Sequence, residues 1–260
     1  MAPPLTAGID GVVTQLDAAV ARARDRRDPA GYFAALYGQT SRAVRARLLA
    51  GAFDDGPRMD DFVSRFAARY LAALAAAQAG RATTRAWQVA FDVAARPRHD
   101  TLILQHLLLG INAHINLDLA VAAADLCPGE AINGLKEDFQ RINTVLGDLL
   151  GPVRACLDRF SPLLDVLDRV GGRDDDQVLN FSIRVARDEA WSAAVTLATA
   201  GGQRRDELVD SLDRRVAVLG RLVANPGGLL QRAVDLVAAS ESDDVVAVID
   251  ALAQVVPPPA

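Results

Sequence analysis

Two histidines, two asparagines and an aspartate stand out because they lie inside one strongly apolar stretch of the chain. The stretch covers residues 100–126, DTLILQHLLLGINAHINLDLAVAAADL, and contains His106, Asn112, His114, Asn116 and Asp118. No lysine or arginine occurs between residues 98 and 136, which indicates a buried rather than a solvated segment. Buried imidazole, amide and carboxylate groups cost free energy unless each finds a partner. Their presence therefore requires a reason, either structural or functional.

The spacing of these residues predicts two polar stripes on one buried helix, at about 100° per residue. The first stripe holds His106, Gly110, His114 and Asp118, and the second, on roughly the opposite side, holds Asn112 and Asn116. His114 and Asp118 are close enough to share a ligand, a water molecule or a metal ion. His106 lies about 12 Å further along the helix axis, too far for easy ligation of the same ion. Gly110 is unfavourable in a helix interior and indicates a notch for a substrate or another helix.

General acid–base catalysis on a small, largely apolar substrate is the first functional hypothesis. His114, oriented by Asp118, would act as base or acid, because the unperturbed pKa of histidine lies near neutrality. The reaction would be of the cyclase, isomerase or lyase type and would need no cofactor. We expect the side chains of His106, His114 and Asp118 to be largely inaccessible. The catalytic candidates are His114, Asp118 and His106, and the substrate-binding candidates are Asn112, Asn116, Gly110 and Arg184.

Arg184 is included because Asn180, Arg184 and Asp188 follow one another at i, i+4 spacing. Such a stripe is typically an exposed ladder of side chains. It could instead close a pocket, with Arg184 holding a carboxylate.

Two alternatives remain open. In the first, a mononuclear hydrolase uses His114, Asp118 and an acid such as Asp138 to bind one divalent metal ion, for example Zn or Fe. For Asp138, at the edge of an apolar stripe, a solvated position is the commoner one. The chain has neither an HExxH motif nor a Glu-x-x-His pair, so the common helical metalloenzyme patterns do not apply. In the second alternative the polar cluster is non-catalytic and serves a helical ligand-binding or scaffold protein.

Composition narrows the class of protein. A formal net charge of −5 without a basic stripe argues against nucleic-acid binding. Two cysteines, Cys127 and Cys156, indicate free thiols in a reducing compartment. The N-terminal residues do not resemble a secretion signal, and no uninterrupted apolar run reaches the length that spans a bilayer. We expect a cytoplasmic protein with a small-molecule ligand and no membrane partner, and its long amphipathic helices are compatible with a homodimer.

Helical periodicity extends through the whole chain, and no alternating strand pattern occurs. We therefore predict one all-α domain over residues 1–260, with about ten helices around a buried central helix at residues 100–126. Residues 256–260 form a proline-rich frayed tail in this prediction.

Three motifs in this helical pattern also resemble a known family. They are Trp87-x-x-Ala90-Phe91, then Gln105-His106-Leu107-Leu108-Leu109-Gly110-Ile111-Asn112-Ala113-His114-Ile115-Asn116-x-Asp118-Leu119, then Asp138-Phe139-x-x-Ile142-Asn143. The pattern, which spans residues 32–191, is similar to that of a mostly bacterial family of helical proteins known as a domain of unknown function. The resemblance implies a helical fold and supports a site at the central segment, and it implies no particular reaction.

Overall fold

The computed structural model describes residues 8–97, 100–164 and 175–256, the side chains of 175–183 excepted. These residues contain ten α-helices, when the continuous rod Ile103–Leu126 is counted as one, together with a 3-10 helix at Gly129–Leu135 and no strand. The predicted all-α fold is therefore confirmed. The helices are α1 (Gly8–Arg26), α2 (Ala30–Leu49), α3 (Gly56–Gln78), α4 (Arg85–Ala94), α5 (Ile103–Ala113), α6 (Leu119–Leu126), α7 (Lys136–Asp158), α8 (Asp175–Thr199), α9 (Gly202–Ala224), α10 (Gly228–Ala238) and α11 (Val245–Leu252). Of the predicted tail, residues 257–260 lie outside the described residues, and one domain over the whole chain stays a prediction.

Local sequence sets the helix boundaries that matter for the site. Helix α3 begins after Asp55, whose carboxylate accepts the backbone N–H of Arg58 at 3.0 Å. Helix α4 begins after Thr84, whose hydroxyl accepts the backbone N–H of Trp87 at 3.4 Å. Both are N-caps, which satisfy donors that the first helical turn leaves unpaired.

The central rod consists of α5, a π-helical turn at His114–Asp118 and α6. Helix α5 packs against α2, α4 and α9, and α6 packs against α3 and α8. Six consecutive residues at the start of α6, Leu119 to Ala124, are buried, so this part of the rod has no solvent-facing side. A helix that is apolar all round belongs in the core of a helical protein, as the sequence predicted.

The rod is long and apolar enough to cross a membrane by length and composition alone. A criterion of uninterrupted apolar residues does not detect this property. Polar residues such as Asn112 interrupt the apolar run, yet the mean hydropathy of the rod stays high. In the fold, 83% of the most apolar 18-residue stretch of the rod is buried. That burial is typical of a core helix. Cys127, just beyond the rod, and Cys156 are buried free thiols, as predicted.

Gly110 marks the closest approach between the rod and α2. A Cβ atom added at Gly110 would lie 2.4 Å from Cγ of Phe33, far inside van der Waals contact. The notch predicted at this glycine is therefore filled by the Phe33 side chain, which itself packs on the aromatic residues around His114.

We expect Gly110→Ala to destabilise the fold by about 1–3 kcal/mol, because Phe33 must move out of a close-packed position. Gly151→Ala is the matched control, since Gly151 lies inside α7 with nothing within 4 Å of its added Cβ. This control should be neutral or stabilising by up to about 1 kcal/mol, since alanine favours the helix. Urea unfolding of both variants measures the difference. Equal midpoints would contradict the tight contact.

Candidate active site

The Asp118 side chain is buried and accepts hydrogen bonds from three separate elements. The Nε of Arg69 in α3 donates to Oδ1 at 2.9 Å, and the indole N–H of Trp87 in α4 donates to Oδ2 at 2.8 Å. Nδ1 of His114 lies 3.2 Å from the same Oδ2. Arg69 supplies the compensating positive charge, so the carboxylate is an ionised acceptor at all three contacts.

This arrangement determines the tautomer of His114. A carboxylate can only accept, so Nδ1 carries the proton and donates it to Asp118. The other ring nitrogen, Nε2, is then an acceptor, and it is buried without a hydrogen-bond partner among the described residues. Burial lowers the pKa of His114, and the hydrogen bond to Asp118 opposes this shift without cancelling it. The ring is therefore a neutral base at neutral pH.

Aromatic side chains hold the imidazole ring in place. Phe66 stacks on it with ring centroids 3.6 Å apart and planes 8° from parallel. Tyr37 and Phe33 meet it edge-on, with centroids at 4.4 and 5.7 Å. Burial raises the pKa of the Tyr37 phenol, which also lies near the charge of Asp118, and Tyr37 stays neutral. Rotation of the His114 ring would break these contacts, so its orientation is fixed by packing as well as by Asp118.

The backbone that carries the pair is a π-helical turn, in which the N–H of Leu119 donates to the carbonyl of His114. Such turns are rare and occur frequently at functional sites. Periodicity analysis treated residues 100–126 as one uniform α-helix and missed the turn. The sequence nevertheless identified the two residues that the turn brings together.

His114 borders a largely apolar cavity of about 160 Å³ between α2, α3, α5, α7 and α8. Engineered apolar cavities of about 150 Å³ hold a benzene molecule, so this space suits a small apolar ligand. Only six of the described lining residues carry polar side-chain atoms, and they are Tyr37, Thr40, Ser41, His114, Arg154 and Arg187.

His106 lies away from this cavity. It is half-buried rather than inaccessible as predicted, its ring meets Tyr32 edge-on at 5.6 Å, and it borders a smaller pocket beside Glu241. Burial, with a contribution from the charge of Arg96, lowers its pKa to about 4. The structure therefore does not bring His106 together with His114 and Asp118.

The asparagines link the rod to α9. The Asn112 amide donates to the carbonyl of Val216 at 3.0 Å, and the Asn116 amide donates to Oδ1 of Asn112 at 2.9 Å. Neither residue lines the main cavity. Gly110 does not line it either, and the space beside this glycine is filled by Phe33. These contacts give all three a packing role, and we do not retain them as substrate-binding residues.

Asp138 is buried at 1% exposure, so the expectation of a solvated position was wrong. Its carboxylate accepts hydrogen bonds from the backbone N–H groups of Asp54 and Asp55 at 2.8 and 3.0 Å. It also accepts one from the guanidinium of Arg141 at 2.6 Å. Burial alone would raise the pKa of Asp138, but these donors outweigh it and lower the pKa. The side chain thus fixes the loop before α3.

The hypothesis of a metal site named Asp138 as its third ligand, and the bonds of Asp138 to the loop before α3 remove that ligand. Among the residues that the structure describes, no group of three His, Cys, Asp or Glu side chains is placed to hold an ion. The pair of His114 and Asp118 is occupied by Arg69 and Trp87, whose N–H groups take the carboxylate oxygens that a metal would need.

Arg184 is exposed on α8, as an arginine in a solvated ladder would be. Arg187, less than one turn later, is instead buried and lines the main cavity. Sequence reasoning missed Arg187, although a signal was present. It shares an i, i+3, i+7 face with Ala190 and Ala194, both of which are buried.

Comparison with known proteins gives a family and no established function. The model of a family described as "Family of unknown function (DUF5995)" matches residues 9–226, a range that includes every residue of the site. No curated protein and no solved structure matches the chain.

The hydrogen bonds predict unequal costs for the two site residues. His114→Gln should destabilise the fold by about 1–2 kcal/mol, mainly through lost ring packing. Asp118→Asn should cost about 2–4 kcal/mol, because it leaves the Arg69 guanidinium without its counter-charge. Thermal melts of both variants test this order. Asp61→Asn is the control, since Asp61 forms an exposed ion pair with Arg65 at 2.9 Å that should contribute little.

The lowered pKa of His106 predicts a pH dependence of stability. The unfolded imidazole binds a proton below its ordinary pKa of 6.5, and the folded one only below about 4. The stability contribution is therefore full above pH 6.5, and stability falls by about 3 kcal/mol as the pH drops to 4. Glu241, whose pKa burial raises to about 7, acts in the opposite direction over this interval.

The unfolding free energy of the wild type minus that of His106→Gln isolates the histidine, because Glu241 is common to both proteins. Chemical unfolding between pH 4 and pH 8 measures this difference. A difference that does not change with pH would show that His106 titrates normally in the folded chain.

Proposed function

We propose that this chain, which belongs to the DUF5995 family of unknown function, is an enzyme that uses His114 as a general base on a small, largely apolar substrate. One observation carries the proposal. The Nε2 atom of His114 is a buried acceptor with no partner in the described part of the chain, on a ring that borders a largely apolar cavity. A buried polar atom left unpaired costs free energy, and a substrate that supplies a proton there would recover it.

The roles of the two residues follow from their contacts. Nε2 of His114 takes a proton from the substrate, and the ring becomes an imidazolium. The Asp118 carboxylate, at 3.2 Å from Nδ1, stabilises that positive charge and keeps the ring oriented. Return of the proton to a different atom gives an isomerisation. Loss of a leaving group instead gives an elimination, which is the lyase-type outcome.

The environment suits this chemistry. Phe66 and Tyr37 exclude water from the ring, and electrostatic interactions are stronger where water is absent. Burial also lowers the pKa of His114, so the base form is present at neutral pH without a preceding deprotonation. We expect the rate to rise with pH through a pKa below 6.5 and then to level off.

Non-catalytic ligand binding is the second candidate. It is favoured by the few polar groups in the cavity wall, which would retain an apolar molecule whether or not His114 removes a proton. The two candidates share a ligand site and differ only in turnover. A metal-dependent hydrolase is not carried forward, because Asp138 is engaged elsewhere.

The test uses 5-nitrobenzisoxazole, a small apolar bicyclic compound whose ring opens when a base removes its carbon-bound proton. We expect wild-type protein to accelerate the opening and His114→Gln to lose about 10²-fold or more of that acceleration. Ring opening is followed by absorbance between pH 5 and pH 9, and circular dichroism confirms that each variant is folded.

His106→Gln is the matched control, since it replaces the other histidine of the same rod outside the main cavity. It should leave the acceleration intact. Equal rates for wild type and folded His114→Gln would refute the catalytic proposal and leave the binding candidate in place.

A further inference from the structure

The wall of the main cavity contains a buried cation that the base chemistry does not use. Arg187 lies in α8 with 1% of its surface exposed, and it lines the same cavity as His114. Taking a guanidinium out of water is expensive unless an anion compensates it. A buried arginine in a largely apolar wall therefore needs an explanation.

The partners that the structure gives Arg187 are all neutral. Its Nε donates to Oδ1 of Asn143 and its Nη2 donates to the carbonyl of Phe139. Its Cζ also lies 4.5 Å from the centroid of the Phe139 ring. Within the described residues no ion pair involves Arg187. Burial lowers its pKa only to about 10, so the side chain stays cationic at neutral pH.

The described lining of the cavity offers no acid to balance this charge. Arg154 and Arg187 are the two charged side chains among its described lining residues, and no aspartate or glutamate is present. Arg154 is 19% exposed and pairs with Asp158 at 3.0 Å. The interior therefore combines apolar surface with one buried positive charge, which is complementary to a molecule with an apolar body and one negative charge.

We propose that Arg187 binds the carboxylate of a small apolar monocarboxylic acid, which makes such acids the substrate class of the site. The proposal rests on the proposed function only in placing this ligand beside His114. A planar guanidinium matches a carboxylate in a two-bond geometry. A phosphate dianion would need a second unpaired cation, which the described lining does not provide.

Three aromatic rings link His114 to Arg187, and two of them, Phe62 and Phe66, line the cavity. Phe66 stacks on His114, Phe62 lies 6.2 Å from Phe66, and Phe139, beneath Arg187, lies 6.1 Å from Phe62. Phe139 is itself packed against Trp191 at 5.0 Å. The apolar body of the acid would pack along this wall, with its carboxylate at Arg187 and its reacting atom near His114.

Calorimetric titration with octanoate and with 1-octanol at pH 8 tests the proposal, because these probes share an apolar chain and differ in charge. We expect the wild type to bind octanoate about 10- to 100-fold more tightly than 1-octanol. Arg187→Gln should abolish this preference and leave the affinity for 1-octanol unchanged. Equal affinities in the wild type, or a preference that survives in folded Arg187→Gln, would overturn the proposal.

Arg184→Gln is the matched control, because it removes an exposed arginine from the same helix and should keep the full preference. Arg187→Lys retains the charge but not the two-bond geometry, and should weaken octanoate binding to a smaller extent. It also decides the question if Arg187→Gln does not fold, since unchanged octanoate binding in Arg187→Lys would count against the proposal.

His114→Gln distinguishes this inference from the catalytic one. Its preference for octanoate should equal that of the wild type. If the wild type shows the preference but does not accelerate ring opening, the base chemistry fails and the carboxylate site stands. If the wild type accelerates ring opening but shows no preference for octanoate, the carboxylate site fails and the base chemistry stands.

Discussion

The buried carboxylate of Asp118 is the interaction on which the rest of the site depends. It joins α3 through Arg69, α4 through Trp87 and the central rod through His114, so three elements are tied to one side chain. Removing this charge from water is costly, and the cost is offset only because every contact is a donor and one is cationic. The tautomer of the imidazole follows from that single group, and its orientation follows from the group together with the packing of Phe66 and Tyr37.

Much of this arrangement could be predicted from the sequence, because it is local to one helix. The lack of cationic residues identified the rod, and the i, i+4 spacing paired His114 with Asp118. The third and fourth members, Arg69 and Trp87, could not be found in this way. They come from other helices, and which of several arginines reaches the carboxylate is decided by helix packing. Asp138 illustrates the same limit, since two of its partners are backbone groups of a distant loop.

Helical phase explains the remaining differences between expectation and structure. Arg184 and Arg187 are separated by less than one turn of α8, yet Arg184 faces solvent and Arg187 faces the cavity. His106 lies on the predicted stripe with His114, but Phe33 packs against Gly110 between them and separates their surroundings. Residue type alone cannot distinguish such pairs. The apolar pattern of the neighbouring positions can, as the buried alanines after Arg187 show.

The two tryptophans of the chain occupy opposite ends of this system. Trp87 donates to the carboxylate that holds His114, and Trp191 packs on the ring beneath Arg187. Each indole is therefore an intrinsic fluorophore coupled to one end of the cavity. Because indole emission responds to nearby charge and polarity, a protein with only one of the two tryptophans would report optically on one end alone. The fold thus contains two natural spectroscopic probes that need no label.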